Sequence, residues 1–302
     1  MTRLDVVTGF LGAGKTTFLA RYLHWLRRQG VRAAVIENEF GRAGVDAAAL
    51  SAGGARVREI SGGCVCCTMK VTLRELLWEL AADCDRILLE PSGLFCSDDL
   101  LDILHSPGCP VTPGLWLGIV DPWALTVMND EDRAVLQSEL MPSGAVWIRR
   151  GGDPDGEQAA AVRFVREALP APEPCIRTDP WETWEDDRDF PALQAAGWVE
   201  RPHERRRFDH AAMFQSTTLL PDRPVAEPAL RAALDRLTGG EAGTLLRVKG
   251  TVWAPDGGQF AVNAVPGELS LVRQETRGAP ALNFIGRELS RRRIREIWEE
   301  YQ

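Results

Sequence analysis

The stretch Gly9-Phe-Leu-Gly-Ala-Gly-Lys-Thr16 decides the fold of this chain. It fits the pattern G-x-x-x-x-G-K-[ST], which surrounds phosphate groups when it lies between a strand and a helix. The residues before it are β-branched and apolar, as in a buried strand. The residues after it place apolar side chains three and four positions apart, which predicts an amphipathic helix. The sequence therefore predicts a phosphate-binding loop between the first strand and the first helix.

The residue types of this loop suit a nucleoside triphosphate. Glycines let the backbone N–H groups and the helix N-terminus face an anion. Lys15 would lie against the β- and γ-phosphates, which makes it a candidate catalytic residue, and the Thr16 hydroxyl would bind Mg²⁺. The candidate nucleotide-binding residues of the loop are Gly9, Gly12, Ala13, Gly14, Lys15, Thr16 and Thr17.

A second acidic element is expected on a neighbouring strand, and Ile87-Leu-Leu-Glu90-Pro-Ser-Gly93 supplies one. Glu90 would hold Mg²⁺ through water or orient the attacking water, and the Gly93 N–H would meet the γ-phosphate. The alternative is a strand-end acid that caps the next helix. Asp121 ends another apolar run and is a weaker candidate, equally consistent with a structural carboxylate.

Three cysteines crowd into Ser61-Gly-Gly-Cys64-Val-Cys66-Cys67-Thr68. Thiolates select Zn²⁺, Cu(I) and similar metals, and three thiolates leave a tetrahedral site one ligand short. A site with an open position suits transfer of the metal better than permanent storage. The alternative is that these cysteines are small buried apolar residues.

Two carboxylates follow the second predicted strand, in Glu37-Asn-Glu39-Phe-Gly41. A nucleotide-sensing segment of a phosphate-loop protein would lie at this position. Glu37 or Glu39 could be the missing carboxylate ligand of the cysteine site, or could respond to Mg²⁺. A plain turn at the end of a strand is the alternative interpretation.

Composition excludes several classes of protein. The 302 residues include 35 Lys+Arg against 43 Asp+Glu, for a net charge of −8, so a broad nucleic-acid-binding surface is not expected. No apolar run is long enough to span a bilayer, and Asp5 lies where a signal peptide needs an apolar core. We therefore expect a cytoplasmic protein without nucleic-acid or membrane partners. In such a reducing compartment the crowded cysteines indicate metal or redox chemistry.

The order of predicted elements divides the chain into three parts. Strands and helices alternate over residues 1–180, which predicts a three-layer α/β domain with a mostly parallel sheet. Residues 181–206 are rich in charge and proline, and we interpret them as a solvated linker. Residues 207–302 combine strands with two helical stretches, which predicts a smaller α+β domain with an antiparallel sheet.

Taken together, the motifs resemble those of CobW-like P-loop GTPases. The phosphate loop, residues 37–41, the Cys-Val-Cys-Cys segment and Glu90-Pro-Ser-Gly93 occur in the order seen in that family. Leu246-Arg-Val-Lys-Gly250 and Asn283-Phe-Ile-Gly-Arg287 resemble the CobW C-terminal domain, so the likeness spans nearly the whole chain.

The resemblance implies a slow, metal-responsive GTP hydrolase related to the hydrogenase and urease nickel GTPases. Such proteins are regarded as metallochaperones, so the implied ligands are GTP, Mg²⁺ and Zn²⁺ or Co²⁺. The implied partner is a client metalloprotein that receives the metal, and a homodimer is an open option. Nucleotide state would control metal held by Cys64, Cys66 and Cys67, with Glu37 and Glu39 beside that site.

Two features depart from the family pattern. Where the guanine-reading Asn-Lys-x-Asp is expected, this chain has Arg150-Gly-Gly-Asp153, which keeps only Asp153 as a base-reading candidate and leaves guanine against adenine open. Many relatives carry a His-rich tract, whereas the four histidines here are scattered. Two alternative functions therefore stay open. One is a P-loop NTPase or small-molecule kinase without metal transfer, and the other is a nucleotide-binding module with altered base specificity.

Overall fold

The chain forms two compact units, the first reaching Phe208 and the second occupying the C-terminal part. The computed structural model describes residues 1–38, 56–60, 68–91, 97–149, 156–205, 208, 213–265, 267–275 and 278–301. No helix within these ranges is both long enough and apolar enough to cross a membrane.

Strands and helices alternate through the first unit, as the sequence predicts. The strands are β1 (Thr2–Thr8), β2 (Ala33–Asn38), β3 (Arg56–Ile60), β4 (Arg86–Glu90), β5 (Val111–Val120), β6 (Ala145–Ile148) and β7 (Cys175–Arg177). The helices are α1 (Lys15–Arg28), α2 (Thr68–Ala81), α3 (Ser97–Leu104), α4 (Pro122–Val127), α5 (Asp130–Leu140), α6 (Glu157–Ala168) and α7 (Asp186–Ala196). A short 3₁₀ turn spans Trp181–Thr183.

These strands form one parallel sheet in the order β3-β2-β4-β1-β5-β6-β7, counted within the described residues. Alternate side chains of a strand point to opposite faces, and here both faces are covered. Val7 and Val35 pack with apolar residues of α1 on one face. Val6 and Ile36 pack with apolar residues of α2 and α3 on the other face. The predicted three-layer α/β fold is confirmed.

The prediction of a charged linker over residues 181–206 is wrong for most of that stretch, which belongs to the first unit. Trp184, Phe190 and Leu193 are buried in the same apolar cluster as α1. Several of the acids around them form ion pairs with arginines. Asp186 accepts from Arg21 Nε at 2.8 Å, for example.

Buried charge also ties the end of this stretch to the first unit. The Arg201 side chain is 4% exposed, and its guanidinium donates to the carbonyl oxygens of Met141 and Ser143 at 2.6 and 2.9 Å. His203 Nε2 lies 2.8 Å from Asp98 Oδ1 at the start of α3. A local sequence pattern cannot distinguish a solvated charged segment from one whose charges are paired with distant residues.

The second unit is an antiparallel sheet covered by helices, as the sequence predicts. Its elements are β8 (Gln215–Leu219), α8 (Glu227–Thr238), β9 (Thr244–Trp253), β10 (Gln259–Val265), β11 (Glu268–Gln274), β12 (Leu282–Arg287) and α9 (Arg291–Glu299). The strand order is β11-β10-β9-β12-β8. Leu234 of α8 and Ile297 of α9 pack with Val248 and Phe284 of the sheet, so both helices cover one face.

Candidate nucleotide and metal site

The loop between β1 and α1 has the backbone geometry that its glycines predict. Gly9 has a φ of +141°, and a Cβ atom at this position would lie 2.2 Å from the carbonyl oxygen of Ile119. Gly14 adopts the left-handed conformation, with a φ of +95°, directly before α1 begins at Lys15. Only glycine fits both positions without strain, so the loop is held close to the sheet and leads directly into the N-terminus of α1.

Lys15 is held inside this loop. Its side chain is 5% exposed, and Nζ donates to the carbonyl oxygens of Gly9 and Phe10 at 2.8 and 3.3 Å. A buried ammonium needs such acceptors because an unpaired charge in the interior is costly. The ammonium is thus fixed at the loop, where a phosphate would be bound by the helix N-terminus.

Thr16 joins the loop to the carboxyl end of β4. Its hydroxyl donates to Glu90 Oε1 at 2.9 Å. Glu37, at the end of β2, is in direct register with Glu90, and the two residues are only 4% and 7% exposed. The hydroxyl and carboxylate oxygens gathered here are ligands of the type that Mg²⁺ takes, so this donor set fits that ion.

Asp121 has a structural role in this structure, which is the alternative the sequence left open. It is the N-cap of α4, and its Oδ1 accepts from the Trp123 N–H at 3.1 Å. Such a cap satisfies a backbone donor that has no partner within the helix.

Arg149 contacts the phosphate loop and belongs to this candidate site, although the sequence did not predict it. It follows β6, its Nη1 donates to the Gly12 carbonyl oxygen at 3.1 Å, and it lies 3.8 Å from Asp121 Oδ2. Its position at the carboxyl end of a sheet strand was the available signal, because ligands of α/β proteins bind at that edge.

A cavity of about 270 Å³ adjoins the phosphate loop. It is bounded by residues of α1, by the end of β6 and by the segment after β7. The lining residues are Gly14, Thr17, Phe18, Trp147, Arg149, Pro180, Trp181 and Glu182. Of these, the sequence predicted only Gly14 and Thr17 as site residues. Trp181 and Glu182 were missed because they fall in the stretch interpreted as a linker.

The remaining predicted site residues lie outside the described part of the chain. They are Glu39, Cys64, Cys66, Cys67, Gly93 and Asp153. Within the described ranges, no group of three or more His, Cys, Asp or Glu side chains could hold a metal ion. The described cysteines are Cys84 and Cys109, which are half-buried, and Cys175, which is exposed.

Lys70, which follows the cysteine segment at the start of α2, is engaged by acids of α3. Its Nζ lies 2.6 Å from Asp99 Oδ1 and 3.4 Å from Asp102 Oδ2. The hydrogen bond to Asp99 raises the pKa of Lys70 above its usual value. Lys70 therefore makes a surface ion pair with α3, and its described partners are not residues of the phosphate loop.

Comparison with known proteins identifies both units. Residues 4–143 match the family model of the CobW/HypB/UreG nucleotide-binding domain, and residues 214–302 match the cobalamin synthesis protein cobW C-terminal domain. The zinc chaperone YeiR of Escherichia coli is 44% identical over 113 residues, which cover 35% of this chain and 33% of that protein. The zinc chaperone CobW of Pseudomonas aeruginosa is 40% identical over 116 residues, covering 34% of this chain and 30% of that protein.

The matched stretch is therefore about a third of the length of these curated relatives. Among solved structures, that of the Zn(II)-bound YjiA GTPase from E. coli is 21% identical, covers 100% of this chain and 99% of its own, and gives a TM-score of 0.42.

Proposed function

The chain belongs to the CobW/HypB/UreG family, and from that premise we propose that it is a metal-binding GTPase. It would couple GTP binding and hydrolysis to holding a metal ion of the zinc or cobalt class and delivering it to a client protein. The names of YeiR and CobW as zinc chaperones favour zinc as the cargo.

One observation carries this proposal: the order of four neighbouring strands whose carboxyl ends lie on the same side of the sheet. β3, β2, β4 and β1 are neighbours in that order, and all are parallel. Their carboxyl ends therefore meet at the same edge. The cysteine segment follows β3 in the sequence, Glu37 is the second-last residue of β2, Glu90 ends β4 and the phosphate loop follows β1.

In this order, β3, which precedes the cysteine segment, lies close to β1, which precedes the phosphate loop. Neighbouring strands lie about 4.8 Å apart, so β3 and β1 are separated by about 15 Å. A change at the γ-phosphate would reach Glu90 through its hydrogen bond with Thr16, and Glu37 lies on the next strand. This strand order supports the proposed coupling between nucleotide and cargo metal.

The residues that end these strands, or follow them in the sequence, would offer two types of ligand. Thr16 and Glu90 offer the oxygen atoms that would hold Mg²⁺. When bound, that ion would neutralise charge on the phosphates. Glu90 would also orient the attacking water, while Lys15 would stabilise charge on the β- and γ-phosphates. Cys64, Cys66 and Cys67 would bind the cargo metal as thiolates, with Glu37 or Glu39 as the fourth ligand.

Replacing Glu90 with glutamine tests the assignment. We expect the purified chain to release phosphate from GTP in the presence of Mg²⁺, and the Glu90→Gln variant to be about 100-fold slower because it loses the carboxylate that orients water. Its affinity for GDP measured without Mg²⁺ should stay within about threefold of the wild-type value, since Glu90 would act on the nucleotide only through Mg²⁺ and the attacking water. Phosphate release and GDP titration measure the two effects.

The matched control is Glu75→Gln, which removes an exposed carboxylate of α2 and should leave turnover unchanged. Full turnover in Glu90→Gln would contradict the role of Glu90. No phosphate release from GTP by the wild-type chain would contradict the GTPase proposal. Phosphate transfer to a small acceptor, indifferent to zinc, would favour a kinase instead.

A further inference from the structure

Residues 198–205 form a strap that follows α7 and lies against α3. At the start of the strap, the Val199 N–H donates to the Pro142 carbonyl oxygen at 2.9 Å. Two cavities, of about 350 and 290 Å³, adjoin the strap, and His203 lines both of them. The strap ends shortly before Phe208, the last residue of the first unit. The contacts of the strap therefore decide how the first unit is closed at its C-terminal end.

Arg201 anchors the middle of the strap. Its Nη1 donates to the carbonyl oxygens of Met141 and Ser143, and its Nε donates to those of Pro170 and Pro172 at 3.0 and 2.9 Å. An arginine side chain keeps its charge throughout the pH range in which proteins are folded. This anchor therefore holds the strap regardless of pH.

The His203 ring anchors the end of the strap, and both of its nitrogens face acceptors. Nε2 lies 2.8 Å from Asp98 Oδ1, and Nδ1 lies 2.9 Å from the carbonyl oxygen of Arg201. A neutral imidazole has one N–H group and can donate to only one of these oxygens. Both hydrogen bonds form together only when the ring carries two protons and a positive charge.

The surroundings of Asp98 make the charge of this ring important. Asp98 is 6% exposed, and its Oδ2 has no hydrogen-bond partner among the residues that the structure describes. Asp98 lies in the first turn of α3, where the helix N-terminus stabilises a negative charge. A buried carboxylate also needs a positive partner, because an unpaired charge in the interior is costly. The doubly protonated ring of His203 supplies that partner.

The other titratable groups around the ring are exposed or paired elsewhere. His105 Nε2 lies 2.7 Å from Glu200 Oε1, but these side chains are 49% and 61% exposed. Arg205 pairs with Asp102 at 2.8 Å, and Glu204 is exposed. The residues of α5 that line the cavities are uncharged, namely Ala134, Gln137 and Ser138. Because exposed ion pairs contribute little to stability, we expect the buried pair to dominate the response of the strap to pH.

We propose that the pair of His203 and Asp98 is a proton-sensitive latch that holds the end of the strap on α3. The latch is closed when the ring carries two protons, and it opens as rising pH removes one of them. Histidine suits this role because its charge changes between about pH 5 and pH 8. The stabilisation is therefore present on the acidic side of this range and is lost on the alkaline side. The latch does not depend on the proposed GTPase activity.

A double-mutant cycle at two pH values tests the latch. The full-length wild type, His203→Gln, Asp98→Asn and the double variant are unfolded with urea at about pH 6 and about pH 8, on either side of the imidazole transition. We expect the coupling between the two positions to change the unfolding equilibrium constant about 10-fold at the lower pH and less than about twofold at the higher pH. Tryptophan fluorescence measures the unfolding curves.

The matched control is a second cycle with His105→Gln and Glu200→Gln, the exposed pair between the same two elements. Its coupling should stay below about twofold at both pH values. Coupling between His203 and Asp98 that is equal at the two pH values would overturn the latch.

Trypsin provides a measurement that does not depend on the folding of a variant. Cleavage of the wild-type chain after Arg205, divided by cleavage of a peptide of residues 200–210, should be about 10-fold faster at the higher pH, because cleavage follows the population of the open strap. In Asp98→Asn this ratio should be nearly independent of pH. A wild-type ratio that does not change with pH would also overturn the latch.

Discussion

We expect the replacement of Lys15 with alanine to lower the proposed rate of GTP hydrolysis by about 100-fold or more, the range seen when one preorganised charge or donor is removed from a transition state. The structure gives the reason. The Lys15 ammonium is 5% exposed and is held by the carbonyl oxygens of Gly9 and Phe10 at the loop. A compact point charge fixed there would interact most strongly with the charge that develops on a bound γ-phosphate.

The variant should fold, because alanine keeps the helix start and the two carbonyls of the loop can bind water instead. Phosphate release measures turnover, and circular dichroism and thermal unfolding measure the fold. Lys70→Ala is the matched control, since Lys70 makes only a surface ion pair with Asp99 and Asp102 among its described contacts. Turnover that persists in Lys15→Ala would mean that the phosphate loop is not the catalytic site.

We expect the replacement of Cys64, Cys66 and Cys67 together with serine to abolish the proposed stoichiometric zinc binding. Thiolates bind Zn²⁺ far better than neutral hydroxyls, and three of the four ligands of the proposed tetrahedral site would be removed at once. The zinc content measured after dialysis should fall from about one zinc per chain in the wild type to a small fraction of that value in the variant. Binding of GDP to the phosphate loop should be retained, which shows that the variant is folded.

The control is the triple variant in which Cys84, Cys109 and Cys175 are changed to serine. These cysteines are half-buried or exposed and belong to no described group that could hold a metal. The control should keep its zinc. Zinc retained by the first triple variant, or lost from the control, would contradict the assignment of the metal ligands.

The sequence predicted the sheet and the phosphate loop because their signals are local. β1 and α1 flank a glycine-rich loop whose pattern demands that arrangement, and Glu90 ends an apolar run that is a strand in the structure. Periodic burial within one element is visible in the sequence that forms it. Strand order is not visible in the sequence of one element, because it depends on which strands pair with each other. The neighbouring positions of Glu37 and Glu90 emerged only from the pairing of β2 with β4.

The segment 181–206 shows why the rest could not be predicted. One of its acids, Asp186, pairs with Arg21, which lies more than a hundred residues earlier in the chain. Its apolar residues pack in the same core cluster as those of α1. A short window of sequence around the segment shows neither the arginine of this ion pair nor the helix against which the apolar residues pack. The cavity could not be predicted for the same reason, because Thr17, Arg149 and Glu182, which line it, are far apart in the sequence.

The central claim is that nucleotide and metal are coupled, and the affinity for zinc with and without a non-hydrolysable GTP analogue tests it most directly. Coupled sites change each other's affinity reciprocally, so we expect the zinc dissociation constant to change by about 10-fold when the analogue and Mg²⁺ are bound. The affinity for the analogue should change by the same factor when zinc is bound. Equal zinc affinity in the two states would contradict the account.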